Sequence, residues 1–153
     1  MAAYFFDASA LVKRYARETG TGWMLSLFRR AAGNRLYVAR ITGVEVAAAL
    51  ARKRRGAHLT ASGAARALQR LRRDLDKRLR IVEITPALLT DGMGLAEKHG
   101  LRGYDAVQLA AVLAANNERV RLSLPPLILV AADNELLAAS MAEGLTTDDP
   151  NNH

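Results

Sequence analysis

The chain has 153 residues, a net charge of +7, 50% hydrophobic content and no cysteine, which bounds it to ordinary globular material with room for one sizeable core. Disulfides, thiolate zinc sites and cysteine nucleophiles are excluded. No apolar run approaches the roughly 18 residues that span a bilayer, and the opening segment lacks the basic and long apolar regions of a signal peptide, so a cytoplasmic protein without membrane contact is expected.

In chain order, Tyr4-Phe5-Phe6 has strand character and stops at Asp7, with a helix-compatible stretch from Ala8 to Arg17. Gly20 and Gly22 break the chain before Trp23, Met24, Leu27 and Phe28, whose spacing puts an apolar stripe on a second helix ending near Gly33. Leu36-Tyr37-Val38 predicts the second strand. Thr42 then opens a helix to Arg55, with Glu45 three residues on as in a capping box and Gly56 as the stop. Leu68, Leu71, Leu75 and Leu79 share one face of a long helix from Thr60, and Arg80 to Ile84 reads as strand. Pro86 starts a helix that runs to His99. Gly100 and Gly103 bracket a turn before Tyr104 to Ala115, a helix apolar nearly all round apart from Asp105 and Gln108. Leu127 to Ala132 predicts a buried strand, Asp133 begins a helix to Glu143, and a brief strand follows at Leu145 to Thr147.

Strands alternating with helices imply right-handed βαβ units and a parallel sheet of four or five strands between helical layers, an α/β/α domain over 1–147. The polar tail 148–153 is expected to fray.

The four acids Asp7, Glu45, Asp105 and Asp133 each stand at a junction between elements. Each has a local explanation: Asp7 and Asp133 as N-caps, Glu45 in the capping box, Asp105 near a helix start. Parallel strands, however, present their carboxyl ends along one rim, where all four would meet. Asp105 weighs most, because a charge in an apolar helix is costly without compensation. Clustered carboxylates without cysteine or paired histidine suit Mg²⁺ or Mn²⁺, and His58, His99 and His153 are dispersed. Carboxylate-bound metal pairs activate water for phosphodiester hydrolysis.

The basic excess suits a polyanion. It is concentrated in Arg52-Lys53-Arg54-Arg55, the candidate nucleic-acid contacts, and along Arg66 to Arg80, where Asp74 with Arg78 and Asp76 with Arg80 have ion-pair spacing.

At these residues the sequence resembles PIN-domain ribonucleases of the VapC toxin type. Tyr4-Phe5-Phe6-Asp7-Ala8-Ser9 resembles the family's first motif and Ile41-Thr42-Gly43-Val44-Glu45 its second. Leu101 to Ala110, around Tyr104-Asp105-Ala106, resembles the third, and Leu129 to Leu136, around Asp133, the fourth. The resemblance implies a PIN-like fold, a Mg²⁺ or Mn²⁺ site on Asp7, Glu45, Asp105 and Asp133 supported by Ser9 and Thr42, and endonucleolytic cleavage of RNA. It also implies a cognate antitoxin and a homodimer. Ala131 stands where the fourth motif often has Ser or Thr, which makes Asp133 the least supported acid, with Asn134 and Glu135 beside it.

A dehalogenase-like phosphatase would need a second Asp where Ser9 stands, and no phosphate-binding glycine loop is present. The alternative is a non-catalytic RNA- or protein-binding module that keeps the fold. Aromatic content of 5% argues against a binder built on base stacking.

Overall fold

Short apolar runs alternate with helical segments, and each run becomes a strand of one sheet. In the computed structural model, which describes residues 1–153, the strands are β1 (Ala3–Phe6), β2 (Arg35–Ala39), β3 (Arg80–Val82), β4 (Ile128–Val130) and β5 (Thr146–Asp148). The helices are α1 (Ala8–Leu11), α2 (Thr21–Leu27), α3 (Thr42–Arg55), α4 (Ala61–Lys77), α5 (Pro86–His99), α6 (Gly103–Arg121) and α7 (Asn134–Ala142). Every strand pairing is parallel, in the order β3-β2-β1-β4-β5.

Side chains along a strand alternate between faces. Phe5 and Leu129 therefore enter the layer built with α5, α6 and α7, whereas Phe6 and Val130 enter the layer built with α1 to α4. All four are fully buried, and a sheet covered on both sides needs such continuous apolar runs. This is the expected three-layer arrangement, with five strands.

The winding positions the site. The chain runs outward from β1 to β2 and β3, then returns to the far side of β1 for β4 and β5. β1 and β4 thus flank the point where the winding reverses, and open α/β sheets form a crevice outside the carboxyl ends there. Asp7 directly follows β1, and Asp133 follows β4 after Ala131 and Ala132.

Two expected ion pairs are not made. Asp74 lies on the same stripe of α4 as Ala67 and Leu71, so it faces inward and is 3% exposed. It accepts from Arg14 Nε at 2.6 Å, Arg14 Nη2 at 3.2 Å and the Tyr15 hydroxyl at 2.8 Å. Arg78 donates instead to the Phe28 carbonyl, Asp76 meets Lys77, and Arg80 has left the helix as the first residue of β3.

The terminal residues correct another expectation. Rather than fraying, they form a 3-10 turn over Pro150–Asn152, with Pro150 buried. His153 stacks on Trp23 with 4.0 Å between ring centroids, and its Nε2 lies 2.9 Å from an Asp148 carboxylate oxygen. Gly20 permits this docking: its φ is +87°, and a Cβ would stand 2.2 Å from the Pro150 carbonyl oxygen. No helix is long and apolar enough to cross a membrane.

Candidate active site

The turn out of β1 fixes the first acid. Asp7 has extended backbone angles and caps α1, its Oδ2 accepting from the Ser9 amide at 3.2 Å and the Ser9 hydroxyl at 2.5 Å. The same hydroxyl oxygen accepts from the Ala132 amide at 3.0 Å, and the Asp7 amide donates to the Val130 carbonyl at 3.0 Å. Ser9 therefore ties the end of β1 to the segment leading from β4 to Asp133. Asp133 caps α7, accepting from the Leu136 amide at 3.0 Å. The two capping roles expected of these acids are observed.

The capping box is not. The helix begins one residue earlier, with Ile41 as its cap, so Thr42 is already helical and fully buried. Its hydroxyl oxygen accepts from Gln108 Nε2 at 2.9 Å, and Glu45 Oε1 accepts from the same nitrogen at 2.6 Å. One buried amide on α6 thus holds both polar groups at the start of α3. Gln108 Oε1 is buried without a partner. The sequence contained a signal for this residue, because Gln108 is the polar group one helical turn after Asp105 in an apolar segment, but not its partners.

Asp105 lies in the first turn of α6 and is half-buried beside the exposed Tyr104. Of the four candidate acids Asp7 is the most buried, at 4% exposure, so burial ranks the four differently from helix composition. Burial raises Asp7 above the ordinary carboxylate range, against the Ser9 hydrogen bonds, and Asp133 adds to the rise. Glu45 is raised to about 7, first by burial and then by Asp7 and Asp105, with the Gln108 bond opposing. Asp105 is raised to about 6 by burial, then by Asp133 and Asp7; Arg102 opposes this, and Glu135 adds to it. Asp7 and Asp105 are therefore each within electrostatic reach of the other three acids, with Glu135 beside Asp105.

Of the basic residues, Arg102 is the one that Asp105 feels. Arg52 to Arg55 sit at the other end of α3, with about 10 Å of helix rise between Glu45 and Arg52. Lys53 is already engaged by Glu18, which also holds Lys13 at 3.1 Å; Arg52, Arg54 and Arg55 are exposed. His99 meets Glu143.

No three Asp, Glu or His side chains stand together as a preformed ligand shell. The donor chemistry nevertheless fits a hard cation: four carboxylates, no histidine among them, and three raised by burial and mutual repulsion. A cation offsets this repulsion.

Gln108→Leu removes the one donor shared by Glu45 and Thr42. The loss of a hydrogen bond to a charged group and of a buried neutral one is expected to cost about 1–3 kcal/mol, read from urea unfolding. An unchanged midpoint would show that these bonds contribute nothing to the fold.

Comparison with known proteins agrees with this geometry. The PIN domain family model matches residues 4–139. Ribonuclease VapC45 of Mycobacterium tuberculosis is 35% identical over 144 residues, 94% of this chain and 93% of that protein. The crystal structure of PAE2754 from Pyrobaculum aerophilum superposes with a TM-score of 0.67 at 24% identity, over 99% of this chain and 91% of the other. A toxin–antitoxin complex from Klebsiella pneumoniae contains a chain with the same fold, with a TM-score of 0.61 at 16% identity over 96% and 97% of the two chains. The acids at the winding reversal, the parallel five-stranded sheet and the match along the chain lead to one conclusion: this protein belongs to the PIN domain family, in its VapC-type branch.

Proposed function

We propose that this chain is a metal-dependent endoribonuclease and the toxin of a toxin–antitoxin pair. The observation that carries the reading is the placement of Asp7 and Asp133 beyond the ends of the neighbouring strands β1 and β4, with Asp105 close enough to be repelled by both and Glu45 close enough to be repelled by Asp7 and Asp105. A relative named as a ribonuclease supports RNA as the substrate, and a shared fold with a toxin–antitoxin complex supports a small antitoxin as partner. A homodimer and a cytoplasmic location complete the reading.

Asp7, Glu45, Asp105 and Asp133 would hold the Mg²⁺ or Mn²⁺. A bound ion of this kind neutralises phosphate charge and makes its water more acidic. The side chains do the positioning. Ser9 engages Oδ2 of Asp7 and Gln108 engages Oε1 of Glu45, bonds that would orient both carboxylates for the ion. Ser9 is committed through its hydroxyl to Asp7 and Ala132, which makes it a tether rather than a nucleophile. Arg102 stands near Asp105 as a cation for the RNA backbone.

The direct test incubates purified protein with single-stranded and structured RNAs in Mg²⁺, Mn²⁺ or EDTA. Internal cuts that require metal are expected. No cleavage with either ion would leave the binding-module alternative, and equal cleavage in EDTA would remove the metal.

Thermal melts add a second check. Glu45 and Asp105 have folded-state values raised to about 7 and about 6, so their protonated forms favour the fold. Their contribution is complete below their ordinary values and is lost as pH rises through about 6 and then 7. Metal-free Tm should therefore carry a falling component between pH 5 and 8. Mn²⁺ at a hundredfold excess over Kd should add about 2.7 kcal/mol at pH 8, roughly 5–11 °C in Tm. It should add far less at pH 5, where protons compete for the same oxygens. A metal shift independent of pH would count against these ligands.

A further inference from the structure

The opposite rim of the sheet, where the strands begin, carries a concentration of positive charge that the acids do not use. A cavity of about 300 Å³ opens there, lined in part by Arg35, Tyr37, Arg80, Arg119, Leu124 and Pro125. Arg35 and Arg80 are the first residues of β2 and β3, and Arg119 comes from the end of α6.

Arg119 is only 7% exposed. Its Nε donates to the Pro125 carbonyl at 2.7 Å and its Nη1 to the Tyr37 hydroxyl at 3.0 Å, and neither partner carries charge. The guanidinium carbons of Arg80 and Arg119 lie 6.0 and 5.7 Å from the centre of the same Tyr37 ring. None of the three arginines makes an ion pair, and no carboxylate lines the cavity. Arg14, which also faces inward, is by contrast matched by the buried Asp74. A buried guanidinium with two like charges nearby and no counter-charge is costly unless an anion supplies one.

We propose that this rim is a phosphate-binding site about one nucleotide in size, separate from the acids and independent of the nuclease reading. The guanidinium forks suit phosphate oxygens, and Leu124, Pro125 and the Tyr37 ring form an apolar wall for the group attached to the phosphate. The phosphate has two possible sources with the same chemistry, a free nucleotide or a nucleotide within an RNA strand.

The test is calorimetric titration of the full chain in EDTA with inorganic phosphate, AMP and a short single-stranded RNA. The decisive variant is Arg35→Gln with Arg80→Gln, since both side chains are exposed and the fold should persist. A control, Arg72→Gln with Arg73→Gln on the exposed side of α4, removes the same charge elsewhere. Arg119→Lys, which keeps charge but loses the fork, is the third arm. Saturable binding is expected, weakened about tenfold or more by the decisive pair and by Arg119→Lys but not by the control. Saturation by AMP or phosphate identifies a free-nucleotide site, and saturation by RNA alone identifies a backbone subsite. The proposal is overturned if no probe saturates, if the decisive pair binds like wild type, or if the control weakens binding equally.

Discussion

Asp105→Asn is expected to lower RNA cleavage by about 10²–10⁴-fold, the range for removing one group that acts directly on the reaction. RNA binding should persist, because the cationic side chains that meet phosphates are untouched. Stability should move the other way. Asp105 is raised to about 6 by burial and by neighbouring acids, so at pH 8 its charge opposes folding, and a neutral amide relieves that repulsion. Metal-free Asp105→Asn should melt slightly above wild type at pH 8 and level with it at pH 5. Loss of activity with no loss of fold is the signature of a residue used for chemistry. Asp7→Asn gives a matched case, because Asn caps a helix as well as Asp does and the Ser9 amide bond can be kept. Undiminished cleavage by both variants would assign the activity to a contaminant.

The largest stability effect should come from a residue outside the site. Asp74→Ala strands the Arg14 guanidinium and the Tyr15 hydroxyl beneath α4, where Arg14 is also stacked over the Phe28 ring at 3.9 Å. Removing one partner of such a buried pair costs about 3–5 kcal/mol, because the remaining charge is uncompensated. That is a large share of the 5–15 kcal/mol typical of a whole domain, and urea unfolding should show it directly. Asp76→Ala, on the exposed side of the same helix, should change little. A small effect at Asp74 would mean that water reaches Arg14.

These contrasts show which parts of the molecule were legible in its sequence. Period and punctuation located the strands and helices, because Thr60, Pro86, Gly56 and Gly100 act within a few residues of where they stand. Where such a stop was lacking the ends were missed: α1 stops at Leu11 rather than Arg17, α2 at Leu27 rather than near Gly33, and α6 runs to Arg121 rather than Ala115. The caps at Asp7 and Asp133 were legible for the same reason. Glu45 was misassigned because a Thr three residues before a Glu looks like a capping box, while its actual donor, Gln108, is 63 positions away. Asp74 was misassigned in the same way: Arg78 has the right spacing, but Arg14, 60 positions away, is on the side that Asp74 faces. The tail looked disposable because its composition is polar, and only the fold brings Trp23 and Gly20 to His153 and Pro150.

The reversal of winding between β1 and β4 also sets a timetable. Asp7 belongs to the first strand synthesised, yet β4, the strand that carries its amide bond and leads to Asp133, comes only after residue 127. The centre of the sheet thus waits for nearly the whole chain. Long-range parallel pairing of this kind is slow to form. A chain that ends before β4 lacks the seam that joins Ser9 to Ala132. The set of acids is therefore incomplete until Asp133 has been made, and a molecule truncated before β4 lacks it.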